Sequence, residues 1–186
     1  MRRWRRSKSI DFIIDLLPDG KTVLELGSGE GTKFLLKHFT VYSVEHMTEL
    51  IGKYKSNYIH APIRKYDDTY LPPDFLGQRK TSDGRLIKHQ LGWYDYRVLE
   101  KELPTNYDLL LIDGPTAKVG RAGFYKHLDL FNTSVPMVFD DVNNVAEKML
   151  LENVSEKLGL DYKIIKIDTV RRQYKGGSIG VLNVGF

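Results

Sequence analysis

Cysteine is absent from the 186 residues, so disulfides, thiolate metal sites and a thiol nucleophile are all excluded. No apolar run approaches the roughly 20 residues that a membrane-spanning helix needs. The one apolar stretch near the N-terminus is interrupted by Asp11 and Asp15, which a signal peptide would not tolerate. These lacks lead us to expect a reducing, cytoplasmic setting. A strong charge of one sign is missing as well. The formal net charge is +4, and much of it sits in Arg2, Arg3, Arg5, Arg6 and Lys8, leaving the remainder close to neutral. Without a broad basic face or aromatic platforms beside it, this arm reads as a solvated tail rather than a nucleic-acid patch.

What is present is enough apolar content, 41%, to bury one substantial core, in a chain too short for two ordinary domains. Residues 1–20 divide into the basic arm and a helix with apolar positions at helical spacing, stopped by Pro18-Asp19-Gly20. The rest, 21–186, should form one α/β domain. Strands are expected at 22–26, 41–45, 58–60, 107–112, 135–139, 162–167 and 178–184. Helices are expected at 31–38, 47–54, 93–103, 124–131 and 144–158, the last with Asn144 and Glu147 spaced as a capping box. Residues 64–90 lose periodicity and read as an irregular insertion near the substrate side, with a hairpin as one form. The polar link 171–177 is too short for a helix, so the last two strands should pair antiparallel. A Rossmann-like, doubly wound, mostly parallel seven-stranded sheet with a reversed terminal strand follows.

The apolar strand Val23-Leu24-Glu25-Leu26 runs directly into Gly27-Ser28-Gly29-Glu30-Gly31. Such a turn lets a ligand approach backbone where a Cβ would collide. Alone it is a weak signal. It gains weight from Glu45 at the end of the next strand, where a carboxylate suits the two hydroxyls of a ribose, and from Asp113 after YDLLLI. An NAD(P)-dependent reductase also begins with a glycine turn and a later acid. Here the third glycine comes one place early for GxGxxG, and Glu30 would repel a pyrophosphate. A cofactor without phosphates is favoured.

Taken in order, ELGSGEG, SVEH, YDLLLIDGP and the closing antiparallel strand resemble the class I S-adenosylmethionine-dependent methyltransferases over residues 20–186. The resemblance implies that Gly27, Ser28, Gly29 and Gly31 line the methionine and ribose part of S-adenosyl-L-methionine. It implies further that Glu45 holds the ribose, that His46 lies by the adenine, and that Glu25 supports the loop indirectly. Asp113 would face cofactor or substrate.

Asp113, Asp140 and Asp141 all follow strand ends that face one crevice. Three carboxylates so close repel unless a cation is shared or one is protonated. A hard divalent ion such as Mg²⁺ is one solution. The arrangement resembles metal-dependent O-methyltransferases of the catechol and macrolide-sugar types, although their basic residue just after the first acid is out of register here. The other readings are Asp141 as a helix cap and Asp113 as a cofactor- or substrate-facing acid of a metal-free site. Lys118, Arg121 or His127 could then supply a base or an anion contact, Lys118 and Arg121 from the glycine-rich loop 114–125. Trp93-Tyr94-Asp95 reads either as an aromatic wall for adenine or a sugar ring, or as core.

The expectation is therefore methylation of a hydroxyl on a small molecule or glycan, Mg²⁺-assisted at the three aspartates. IDGP, GFY and VFDDVN also resemble small bacterial methyltransferases linked to polysaccharide biosynthesis. The alternatives are a nucleic-acid methyltransferase recruited by the arm, which lacks an evident base-gripping motif, and a reductase or a non-catalytic binding module.

Overall fold

The computed structural model describes residues 8–70, 73, 91–167 and 177–185. The basic arm, most of the 64–90 insertion and nearly all of the 171–177 link lie outside the described residues. In chain order the elements are α1 (Lys8–Leu16), β1 (Thr22–Leu26), α2 (Thr32–Leu35), β2 (Thr40–Glu45), β3 (Asn57–His60), β4 (Ile63–Lys65), β5 (Gly92–Tyr94) and α3 (Tyr96–Glu102). Then come β6 (Leu109–Ile112), α4 (Gly123–Lys126), β7 (Met137–Phe139), α5 (Val145–Leu158), β8 (Tyr162–Ile167) and β9 (Gly177–Leu182).

The main sheet has seven strands in the order β3-β2-β1-β6-β7-β9-β8. The strands from β3 to β7 are parallel, while β9 runs against both β7 and β8. The expected reversed strand is thus last in the chain but second from the edge. Both faces are covered, so each strand must be apolar on both sides. Val23, Val41, Leu109, Leu111, Val138 and Val181 face α1 and α2, packing on Ile10, Ile13 and Leu35. Their neighbours Leu24, Leu26, Leu110, Ile112 and Phe139 face the opposite layer, with Trp93, Phe124, Leu150 and Leu151. This period of two explains why LLLI in β6 is buried at every position.

Several expected helices are shorter or different. Residues 47–54 contain only a 3₁₀ turn, Thr48–Leu50, and the chain then turns at Gly52 with φ 76°. The 124–131 helix is one α-turn followed by a 3₁₀ turn at Leu128–Leu130. Trp93 and Tyr94 lie in a strand, not a helix. β5 pairs antiparallel with β4, and Gly92 permits it, because a Cβ there would stand 2.2 Å from the Arg64 carbonyl oxygen. Asp95 then caps α3, its carboxylate accepting from the Arg97 N–H. The capping box does not form: Asn144 makes no side-chain cap bond, and its N–H donates to the Asp141 carbonyl.

The strand order places a topological switch between β1 and β6, the point where chains of this architecture open a crevice beyond their strand ends. Backbone bonds there run from Gly27 N–H to the Val44 carbonyl and from Asp113 N–H to the Leu26 carbonyl. The glycine turn, the acid after β2 and the acid after β6 are thereby held side by side.

Candidate functional site

A small, partly open cleft lies at this switch point. Gly27, Ser28, Glu45, His46, Met47 and Leu50 form one side, and Tyr94 and Asp113 to Thr116 the other. Its floor is backbone against backbone. Gly27 has φ 92°, and a Cβ on it would come within 2.9 Å of Gly114 Cα. Glycine is required here both for the conformation and for the approach.

Glu45 is almost wholly buried and is consumed largely by the turn it organises. Its Oε2 accepts from the Ser28 N–H at 2.9 Å, and its Oε1 accepts from the His46 and Met47 N–H groups at 2.7 and 2.8 Å. Truncation to alanine would therefore strip three backbone donors of their acceptor as well as remove a ligand contact. Glu25 lies one layer deeper. The Thr32 and Ser43 hydroxyls donate to its Oε1, and Thr32 Oγ1 in turn accepts from the Gly29 N–H. Burial pushes Glu25 up to about 8, against the opposing pull of those two hydroxyls. It braces the turn from behind.

Three aspartates do meet, but around an arginine. Arg121 is 5% exposed, and its Nη2 donates to Asp113 Oδ1 at 3.0 Å and to Asp141 Oδ2 at 3.1 Å, while Nη1 donates to the Asp140 carbonyl at 3.0 Å. The Asp140 carboxylate turns away to accept from Ser9 Oγ of α1 and from the Asp141 N–H. Asp141 takes this pose at φ 60°, a conformation rare outside glycine. The Mg²⁺ expected at Asp113, Asp140 and Asp141 does not fit. The position between the carboxylates is held by a guanidinium, and no cluster of three His, Cys, Asp or Glu suited to a metal occurs among the described residues.

Electrostatics follow from this crowding. Desolvation, then the charge on Asp140, raises the Asp113 carboxyl above its usual range, and Arg121 draws it back. Water in the open cleft, reaching 46% of the side chain, tempers the rise. Asp140 is raised as well, by burial first and by Asp141 second.

Of the expected site residues, Gly27, Ser28, Glu45, His46 and Asp113 line the cleft. Gly29 has open space around it, while Gly31 faces away, its Cβ position 3.1 Å from Ile10 of α1. Lys118 stands exposed in the turn after Thr116 and does not line the cleft. His127 lies elsewhere, bonded to Tyr70 and stacked on Tyr96, and burial lowers its basicity. Trp93 is core and Tyr94 is cleft wall, which divides the two readings of that aromatic pair. Met47, Leu50 and Thr116 carry no mark in the sequence that sets them apart from ordinary loop residues.

The described lining carries two carboxylates and no lysine or arginine, so it suits a neutral or cationic ligand better than a pyrophosphate. Three of the four first-turn N–H groups of α2 are also already engaged, Thr32 with the Gly29 carbonyl, Phe34 and Leu35 with the Gly31 carbonyl.

No family model matches the sequence, and no curated protein matches it. Solved structures do. A methyltransferase from Pyrococcus furiosus superposes with a TM-score of 0.50 at 17% identity, over 97% of this chain and 84% of that one. The fold is shared with methyltransferases. An rRNA methylase from Streptococcus thermophilus (TM-score 0.48, 14% identity, 98% of each chain) and an O-methyltransferase from Bacillus cereus in complex with SAH (0.46, 13%, 97% and 92%) are more distant in shape. Among the described residues no helix is long and apolar enough to cross a membrane.

Proposed function

We propose that the chain is an S-adenosylmethionine-dependent methyltransferase acting on a hydroxyl of a small molecule or glycan. The observation that carries this reading is the cleft at the β1/β6 switch point, walled by a glycine turn and by Glu45 and Asp113, with no cationic side chain in its described lining. Its residues fit the cofactor. Glu45 retains capacity to accept from a ribose hydroxyl, and two carboxylates favour a positive sulfonium. Bound S-adenosylmethionine would supply a methyl group already activated for in-line displacement.

The protein's own tasks are to align the acceptor and to take its proton. Asp113 is placed for the second. Arg121 holds Oδ1, and nearly half of the side chain faces the cleft. A carboxyl raised above its ordinary range is a better base than a free one. Arg121 keeps Asp113 and Asp141 apart and neutralised, a task a divalent ion performs in other sites. We place Lys118 outside the machinery.

Titration calorimetry with S-adenosylhomocysteine and, in parallel, NADH tests the cofactor. Saturable binding of the first alone is expected, and binding of NADH alone would reverse the assignment. Methyl incorporation into a glycan or phenolic acceptor panel should proceed in EDTA. Activity abolished by chelator and restored by Mg²⁺ would return the metal to the site. Methylation of RNA in place of these acceptors would instead favour the nucleic-acid reading.

A further inference from the structure

Glu45 cannot hold a ribose diol alone. A carboxylate offers about four acceptor positions, and the N–H groups of Ser28, His46 and Met47 occupy three of them. One remains, for one hydroxyl. The second hydroxyl of a diol needs another polar partner lining the same cleft.

Tyr94 supplies a polar atom with nothing to bind. Its side chain is fully buried, it lines the cleft with Glu45 and His46, and its hydroxyl has no hydrogen-bond partner among the described residues. An unpaired hydroxyl in such a place costs about 1–3 kcal/mol, so its retention calls for an occupant. The hydroxyl stands at the junction of the two glycines: a Cβ on Gly114 would lie 2.5 Å from it and 2.6 Å from Gly27 Cα. His46, in an edge-type contact with the Tyr94 ring at 6.1 Å between centroids, has its Nδ1 3.0 Å from Glu45 Oε1 but out of line for a hydrogen bond. Burial pushes the Tyr94 hydroxyl well above its usual range, so it keeps its proton and donates as well as accepts.

We propose that Tyr94 is a ligand-binding residue that shares a ribose diol with Glu45, the carboxylate taking one hydroxyl and the Tyr94 Oη the other. This rests on the cofactor reading above and makes β5, contributed from beyond the insertion, part of the nucleoside site. It does not require Tyr94 to touch the reacting atoms.

The test pairs a protein deletion with a ligand deletion. Calorimetry on the full chain should show Tyr94→Phe binding S-adenosylhomocysteine roughly tenfold more weakly than wild type, the size of one lost hydrogen bond to a buried partner. Against analogues lacking the ribose 2′- or 3′-hydroxyl, one of the two should bind both proteins equally, because its missing hydroxyl is the one Tyr94 holds. Unliganded Tyr94→Phe should unfold at the wild-type temperature or above it, since an unpaired hydroxyl has been removed. Equal affinity of both proteins for S-adenosylhomocysteine overturns the proposal, as does an undiminished tenfold loss with both analogues. Lower stability of the unliganded variant with unchanged affinity would assign the hydroxyl to a resident water. Should Tyr94→Phe not fold, wild type binding both deoxy analogues as tightly as the parent refutes it equally. If wild type binds no S-adenosylhomocysteine at all, the cofactor reading itself falls, and the proposal with it.

Discussion

Replacing Arg121 by methionine keeps the aliphatic stem and removes the guanidinium. Two ion pairs, at 3.0 and 3.1 Å, and a bond to the Asp140 carbonyl disappear together. Breaking one side of a fully buried pair costs about 3–5 kcal/mol. Here Asp113 and Asp141 keep 46% and 49% of their side-chain surface open, so water re-solvates them in part. Discounted for that screening, the loss is about 2–3 kcal/mol, or roughly 4–12 °C in Tm for a chain of this size. The pH dependence is the sharper signature. Asp113 and Asp140 already titrate above their unfolded range, and removing the cation lifts them further. A carboxyl with a raised folded pKa contributes stability that is present below its unfolded value, near 3.9, and is lost as pH climbs through the folded value. The gap between Arg121→Met and wild type should therefore be wide at pH 8 and narrow at pH 5, measured by calorimetric unfolding at both. Arg121→Lys, which restores a point charge without the fork, should fall between them. A gap of the same size at both pH values, or one below 2 °C, would refute the view that Arg121 neutralises this cluster.

Glu25→Gln should be mild at pH 5 and stabilising at pH 8 by a few kcal/mol. Wild type loses stability between about 4.5 and about 8 as its buried carboxyl resists ionising, and glutamine does not titrate; urea unfolding across that window would show two parallel curves if this is wrong. Gly27→Ala combines a strained φ of 92° with a Cβ 2.9 Å from Gly114 Cα, so a loss above about 2 kcal/mol and failure to bind S-adenosylhomocysteine are expected together in calorimetry. S-adenosylhomocysteine at 100 times its Kd should raise wild-type stability by about 2.7 kcal/mol, seen as a Tm higher by roughly 5–11 °C, and a flat thermal-shift titration would contradict the cofactor.

Much of the fold was legible because its strands are buried on both faces. LLLI in β6 is apolar at every position, and the register of Leu26 with Ile112 then brings Gly27 beside Asp113 without further instruction. Tyr94 was harder to place, since its strand exists only through pairing with residues 63–65, nearly thirty positions earlier, and through a glycine that accepts a carbonyl at close range. Local periodicity carries no trace of that partner. The aspartates are the instructive case. Their adjacency at neighbouring strand ends announces an electrostatic problem, for which the sequence suggests a shared divalent ion or a protonated carboxyl and does not point to Arg121 as the neutralising group. The choice is made by the loop after Asp113, which doubles back through the turn at Thr116 to Gly120 and buries Arg121 beneath the strand ends. A loop with the composition of a substrate contact thus serves the protein's own charge balance. The side chain that this balance leaves open to the cleft is that of Asp113, with 46% of its surface accessible.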